Sequence, residues 1–320
     1  MEFPKTLIKR NGYIERIKPF MRKNIAKVLT GQRRVGKSFL LYQLMDQLLV
    51  EEPDANIIYI NFEDFAFSHI QTAEDMHAYI MSKFRKEKYN YIFVDEIQEI
   101  VNFERVIRSL LLNENNDIYI TGSNAKMLSG ELATYLSGRY IEFSVYSLSY
   151  LEFLAFHKLE NNNESLYLYS RYGGLPYLIN LPLKDETVNE YLKSVYSTIV
   201  FRDVVSRYNL RNSSFLEKLV QFLSENIGNL FSAKNISDYL KSQHSTISVN
   251  QIQNYTEYLN NAFLIHRVGR YDLIGKRLFE IGEKYYFENM GLRNIVIGYR
   301  ITDRAKILEN LVYSHLLYRG

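Results

Sequence analysis

Two short stretches of this sequence hold residues whose types and spacing suit phosphate chemistry. The first is Gly31 to Ser38, GQRRVGKS, which fits the pattern GxxxxGKS/T. A polyphosphate gathers several negative charges in one place. A glycine-containing turn that feeds a helix answers them with free backbone N–H groups and the positive helix end. In that pattern Gly36 lets the backbone approach closely, Lys37 reaches the outer phosphates and the Ser38 hydroxyl is placed to ligate magnesium. Gly31, Gln32, Arg33, Arg34, Val35, Gly36, Lys37, Ser38 and Phe39 form the candidate nucleotide-binding set. The second stretch is Tyr91 to Glu96, where four apolar residues run into Asp95 and Glu96. Asp95 is suited to hold the magnesium through its water shell, and Glu96 to polarise a water that attacks the γ-phosphate. A small-molecule kinase has no need of that second acid, whereas a hydrolase does.

Such groups work only if the chain brings them to one edge of a sheet. Residues 25–30 (IAKVLT) read as a strand before the glycine turn, and 39–50 (FLLYQLMDQLLV) as the helix after it. A second strand is predicted over 57–62 and a helix over 72–85, opened by Thr72 with Glu74 and Asp75 in its first turn. A helix over 103–112 and strands over 118–121 and 140–145 complete the alternation. This is the pattern of an α/β domain with a mostly parallel sheet. The strand 118–121 ends in Gly122, Ser123 and Asn124; Asn124, with Ser123 second, is the candidate partner of the attacking water, and a plain turn is the alternative. Arg139, before the last strand, either stabilises transition-state charge in a neighbouring site or caps the strand and pairs with Glu142. Tyr13, Ile17, Pro19 and Phe20 either wall an adenine or pack on the first strand.

Composition narrows the class. The 320 residues are 47% hydrophobic and 23% charged, enough for two or three domains with real cores. There is no cysteine, and the six histidines lack ligand-like spacing, which excludes zinc and disulfide chemistry. No NKxD string is present, which argues against a guanine-specific GTPase. With neither a signal-peptide core nor an apolar run of the ~18 to 20 residues a membrane span needs, a cytoplasmic protein without membrane contact is expected. The formal charge of +3 names no partner, although residues 1–29 hold eight Lys/Arg against two Glu.

GQRRVGKS, YIFVDE, YITGSN, the LSGR before the last strand and GGLP at Gly173 to Pro176 together resemble the AAA+ superfamily. More narrowly they resemble the prokaryotic ATPases whose AAA domain is followed by a winged helix and a nuclease-like C-terminal domain of unknown function. The likeness extends to FRDVVSRYNL (201–210) and KYYFENMGLRN (284–294). It implies ATP rather than GTP; with the residue reading above, the expectation is a Mg2+-dependent ATPase giving ADP and phosphate, with Glu96, Lys37, Asn124 and Arg139 as catalytic candidates and Ser38 and Asp95 on the metal, and with a homo-oligomer left open.

On this reading the domains are a P-loop ATPase core (1–146), a helical lid (147–212), a winged helix (213–283) and a partial nuclease-like segment (284–320). The lid helices break at Gly173-Gly174-Leu175-Pro176, since proline is costly inside a helix. Arg171 beside that break is either a lid arginine or a surface one. In the winged helix, Ser232 and Ser248 are N-caps. Its third helix shows Asn250, Gln251, Gln253 and Asn254, able to contact adenine edges of double-stranded DNA. Ten Lys/Arg against eight Asp/Glu over 215–300 leave protein contact as the alternative. A second overall reading is a nucleotide-gated interaction protein with incidental turnover. In the last segment Glu309 is the one candidate metal ligand and Asn289 stands where the resembled family tends to have Asp, so a nuclease site cannot be assembled.

Overall fold

The alternating pattern of the first half folds, in the computed structural model, into a five-stranded parallel sheet. The structure describes residues 7–125, 133–136, 138–242, 247–269 and 282–320. The chain divides into two units, the first comprising Met1–Gly31 and Gly36–Val145, the second Gln32–Val35 and Tyr146–Gly320.

In the first unit the order is α1 (Asn11–Ile17), β1 (Ala26–Thr30), α2 (Lys37–Glu51), β2 (Asn56–Asn61), α3 (Ala73–Ser82), β3 (Asn90–Asp95), α4 (Phe103–Leu110), β4 (Asn116–Gly122), α5 (Ala133–Leu136) and β5 (Tyr140–Ser144). The strands lie in the order β2-β3-β4-β1-β5, every neighbouring pair parallel. This topology sets the C-terminal ends of β3, β4 and β1 side by side, the edge where open α/β sheets place ligands. Alternate strand residues (Ala26, Val28, Ile58, Ile60, Ile92, Val94, Ile118, Ile120) form one buried face with Met76 and Ile80 of α3 and Val106, Ile107 and Leu110 of α4. Thr72 caps α3 as expected, in a reciprocal box with Asp75. That helix stops at Ser82, earlier than predicted; beyond it Asn90 Oδ1 accepts from Arg85 N at 2.9 Å and from Asn56 Nδ2 at 2.7 Å, which fixes the chain as it enters β3.

The opposite sheet face carries a polar surprise near the strand beginnings. Lys27 on β1 and Asp117 on β4 are both fully buried and form an ion pair. Asp117 also accepts from Arg22 N and Tyr119 OH, each at 2.8 Å, and the Lys27 ammonium donates to Ile25 O at 2.8 Å and lies 4.6 Å from the centre of the Tyr119 ring. Burial lowers the Lys27 pKa, and Asp117 opposes that shift.

The second unit is mostly helical: α6 (Tyr150–His157), α7 (Asn163–Tyr172), α8 (Asp185–Thr198), a π-helical continuation Ile199–Ser206, α9 (Ser213–Glu225), α10 (Ala233–Ser242), α11 (Val249–Asn261), β6 (Ile265–Gly269), β7 (Glu283–Phe287), α12 (Met290–Ile297) and α13 (Arg304–Arg319). The expected break after α7 is present. Gly173, at φ +73°, closes the helix, and Pro176 opens a short 3-10 turn. A Cβ on Gly173 would collide with Asn289 Oδ1, and one on Gly291 with Tyr172 O. Asn289 caps α12 by accepting from Leu292 N at 3.2 Å, and donates to Ser147 Oγ at 3.1 Å. Three helices followed by the antiparallel pair β6–β7 come in the predicted order. Ser232 Oγ accepts from Asn235 N and Ser248 Oγ from Gln251 N, both at 3.2 Å, as capping requires. The second strand of the pair is Glu283–Phe287; of the β-like stretch RLFEIG (277–282), residues 277–281 lie outside the described residues. Gly320 caps α13, its N–H donating to Leu316 O at 3.2 Å.

Removing one partner of a buried ion pair leaves an uncompensated charge, at a cost of about 3–5 kcal/mol. Asp117→Ala is therefore expected to destabilise the chain by about that amount in urea titration, and Lys27→Met combined with Asp117→Leu by clearly less.

Candidate site at the ends of the central strands

The site begins where β1 stops. Gly36 takes φ +97°, and α2 starts at Lys37. Lys37 is buried, donates through Nζ to Gly31 O at 3.0 Å and stands 3.8 Å from Glu96 Oε1. Two strands away, β3 delivers Asp95 to the same edge. It is 1% exposed, and its carboxylate accepts from the hydroxyls of Ser38 and Thr121, the latter at 2.5 Å. Burial raises the Asp95 pKa above the ordinary carboxylate value; the Ser38 and Thr121 hydrogen bonds work against this, Glu96 adds to it and Lys37 opposes it. An all-oxygen pair of a hydroxyl and a buried carboxylate whose charge is disfavoured fits a hard divalent cation, which would supply the missing positive charge.

Glu96 follows in the left-handed region, φ +54°. Its N–H donates to Thr121 Oγ1 at 2.9 Å, so one hydroxyl on β4 holds both acids. The Glu96 carboxylate accepts from Ser123 Oγ at 3.0 Å and from Gln98 Nε2 at 2.5 Å. Lys37, Ser38, Asp95, Glu96 and Ser123 are thus brought together. Asn124, the first choice from sequence, is buried directly after the turn that bears Ser123. Thr121 and Gln98 were missed. Thr121 sits in the strand read as plain sheet, and only the β3–β4 pairing shows that its hydroxyl meets both acids.

The other predicted residues are placed as follows. Gln32, Arg33 and Val35 are buried and belong to the second unit. There Gln32 Nε2 donates to Phe263 O at 2.8 Å, and Arg33 pairs with Asp203. Arg34 is exposed with φ +71°. Phe39 is exposed on α2, edge-on to Tyr42. Arg139 is exposed and precedes β5, at the edge where the parallel strands begin; the sheet does not bring it to Asp95 and Glu96 of its own chain. Tyr13 and Ile17 are fully buried, and Phe20 packs edge-on at 5.8 Å against Phe143 of β5, the last strand and not the first. Arg171 is committed to Asp185 through two hydrogen bonds, with the rings of Tyr167, Tyr172 and Tyr299 around it. On α11, Asn250, Gln253 and Asn254 are exposed along one face, whereas Gln251 is half-buried. Arg267 lies 3.7 Å from Glu257 and 3.4 Å from Glu283. Arg270, Lys276 and Arg277, which with Arg267 are the cations that the sequence offers for DNA phosphates, lie outside the described residues. Glu309 accepts from Lys284 Nζ at 2.9 Å and Tyr286 OH at 2.7 Å, and these bonds, Lys284 first, hold its pKa below the ordinary value. Among the described residues no group of three or more His, Asp or Glu forms a metal cluster, and no helix is long and apolar enough to cross a membrane.

A parallel sheet in this order, with a GKS turn after one strand and paired acids after another, defines a P-loop ATPase-type fold. Residues 23–154 match the model of an AAA domain, and residues 163–303 match a domain of unknown function (DUF8612). An uncharacterized protein of Haemophilus influenzae is 36% identical over 323 residues, covering 99% of this chain and 80% of that protein. An uncharacterized protein of Methanocaldococcus jannaschii, MJ1544, is 30% identical over 312 residues, covering 93% and 67%. Among solved structures, the Walker-type ATPase PABY2304 of Pyrococcus abyssi superposes with a TM-score of 0.60 at 15% identity, covering 91% of this chain and 96% of that one. The chain thus carries an AAA domain and belongs to the family of these Haemophilus and Methanocaldococcus relatives.

The raised Asp95 pKa sets a pH dependence. The folded, metal-free chain holds that proton more tightly than the unfolded chain does, so Asp95 lowers stability as pH rises from about 3.9, the unperturbed Asp value, through its raised folded value. Asp95→Asn should remove this loss and melt higher than wild type near neutral pH without metal. A melting curve that follows pH identically in both proteins would overturn the assignment.

Proposed function

We propose that the chain binds ATP as its magnesium complex and hydrolyses it to ADP and phosphate. The observation that carries this reading is the convergence of Lys37, Ser38, Asp95 and Glu96 at one sheet edge, with Thr121 holding both acids. Lys37 would exchange the Gly31 carbonyl for an outer phosphate, and the N–H groups at the start of α2 would meet the other phosphate oxygens. Magnesium, held by Ser38 and Asp95, would supply positive charge against the charge that develops on the transferred phosphoryl group. Glu96, fixed by its own N–H, would orient the attacking water, and Ser123 and Asn124 lie beside it on the β4 turn. The resemblance in fold to a solved Walker-type ATPase supports the same reading.

The bonds of Ser123 and Gln98 to the Glu96 carboxylate favour a second reading, a nucleotide-gated interaction protein in which Glu96 is restrained and turnover is slow. Two further proposals concern partners. Arg139, remote from its own chain's acids, would serve the site of a second copy in a homo-oligomer. The chain would read as an ATPase core, a helical lid, a winged helix and a partial C-terminal segment, with the exposed face Asn250, Gln253 and Asn254 of α11 offered to double-stranded DNA. Because Glu257 and Glu283 screen Arg267, affinity for phosphates must come from other cations.

Lys37→Ala should abolish binding of a fluorescent ATP analogue, whereas Glu96→Gln should retain binding and lose turnover by about 100-fold or more; equal loss of binding in both would overturn the roles. Gln98→Ala separates the two readings, since turnover falls if Gln98 orients Glu96 and rises if it restrains it. Mixing Arg139→Ala with Glu96→Gln protein should restore part of the ATPase rate, and no recovery in demonstrably mixed oligomers would return Arg139 to a structural role. For DNA, Asn254→Ala should narrow the difference in fluorescence anisotropy titrations between preferred and random duplexes. No duplex binding at low salt would leave α11 to a protein partner.

A further inference from the structure

The stretch FRDVVSRYNL has no part in the chemistry described so far, yet it contains the residue that grips the phosphate loop. Arg33, at the centre of GQRRVGKS, lays its guanidinium against Asp203 in a two-pronged contact, Nε to Oδ2 at 3.0 Å and Nη2 to Oδ1 at 3.1 Å. Both side chains are almost completely buried, 5% and 2% exposed. Asp203 sits in the π-helical continuation Ile199–Ser206, where the backbone bonds are re-spaced, a feature frequent at functional positions. A second cation, Arg207, stands 3.9 Å from the same carboxylate. One residue before Arg33, the Gln32 amide donates to the carbonyl of Phe263, itself held at φ +54°. The side chains on the two residues after the first loop glycine are thus both anchored, while Arg34 beside them is exposed.

We infer that Asp203 is a positioning residue for nucleotide binding: it fixes Arg33, and through Arg33 the backbone course of the phosphate loop. The inference rests on the ATP-binding reading of that loop. A loop that presents N–H groups to phosphates binds tightly only if its conformation is set before the ligand arrives, because otherwise binding must supply the ordering free energy. A buried, bidentate Arg–carboxylate pair is suited to this, since it is directional and cannot be replaced by water. The guanidinium is held by protein and is not the group that meets the phosphates, which remain the partners of Lys37 and the loop N–H groups. Loss of Asp203 would therefore weaken binding of nucleotide and leave the chemical groups Glu96, Asp95 and Lys37 intact.

The test is a double-mutant cycle on the full chain with Asp203→Asn, Arg33→Gln and the pair together, read by titration of a fluorescent ATP analogue with Mg2+ and by steady-state ATPase kinetics. Each single variant is expected to raise the Kd and KM by about tenfold while kcat stays within about twofold, and the double variant to be no worse than the weaker single one. Asp203→Glu is expected to recover part of the affinity. If Asp203→Asn fails to fold, as judged by its melting curve, Arg33→Lys serves instead, since it keeps the charge and loses the two-pronged contact. Unchanged affinity in folded variants, or additive effects in the cycle, would overturn the role of Asp203 while leaving ATP binding in place. A wild-type chain that binds no nucleotide would overturn both.

Discussion

The site depends on one hydroxyl. Asp95 and Glu96 are adjacent acids at the end of a strand that is buried along its whole length, where unsolvated carboxylates repel each other and are costly. Thr121, from the neighbouring strand, donates to the Asp95 carboxylate and accepts from the Glu96 N–H. The first bond stabilises the charge that burial disfavours. The second holds the N–H of Glu96, whose backbone lies in the left-handed region. A valine would match the shape of Thr121 and supply neither bond, so β4 contributes chemistry from a position that looks like ordinary sheet.

A second polar network holds the other end of the same strands. Lys27 and Asp117 satisfy each other inside the sheet packing, with Tyr119, Ile25 and the Arg22 N–H taking up the remaining capacity. Such a pair adds little net stability over an apolar core, but it is costly to break and tolerates few alternative pairings. It links β1 to β4, the strands that carry the phosphate loop and the Thr121 hydroxyl. Register errors between them would separate Lys27 from Asp117 in addition to misplacing the site.

The second unit uses the same economy of contacts around Asn289. Its side chain caps α12 and reaches Ser147, and the absence of a side chain at Gly173 and Gly291 lets the two turns come together. Arg293, fully buried, donates to Ser224 O at 2.9 Å and to Asp303 at 2.5 Å, tying α12 to α9 and to the turn before α13. These contacts explain why GGLP and ENMGLRN, far apart in sequence, stand out as strings: each supplies half of one joint. Packed together, Asn289 and Arg293 serve as structural hydrogen-bonding groups.

The sequence alone determined the parallel α/β architecture, the order of strands and helices, the helix caps at Thr72, Ser232 and Ser248, and the GQRRVGKS turn and the paired acids Asp95 and Glu96 as strand-end features. These follow from local rules, namely period, capping chemistry and glycine spacing, which act over a few residues. Tertiary structure decided which polar groups share an environment. That Ser123 reaches Glu96, that Thr121 serves two acids, that Arg171 belongs to Asp185 and that Arg33 belongs to Asp203 depend on strands and helices meeting across 14 to 170 positions of sequence. The type of an arginine is visible in a string of letters, but its carboxylate partner is not. Partners are chosen by burial, because a charge removed from water must find its counterion among whatever groups the fold places beside it.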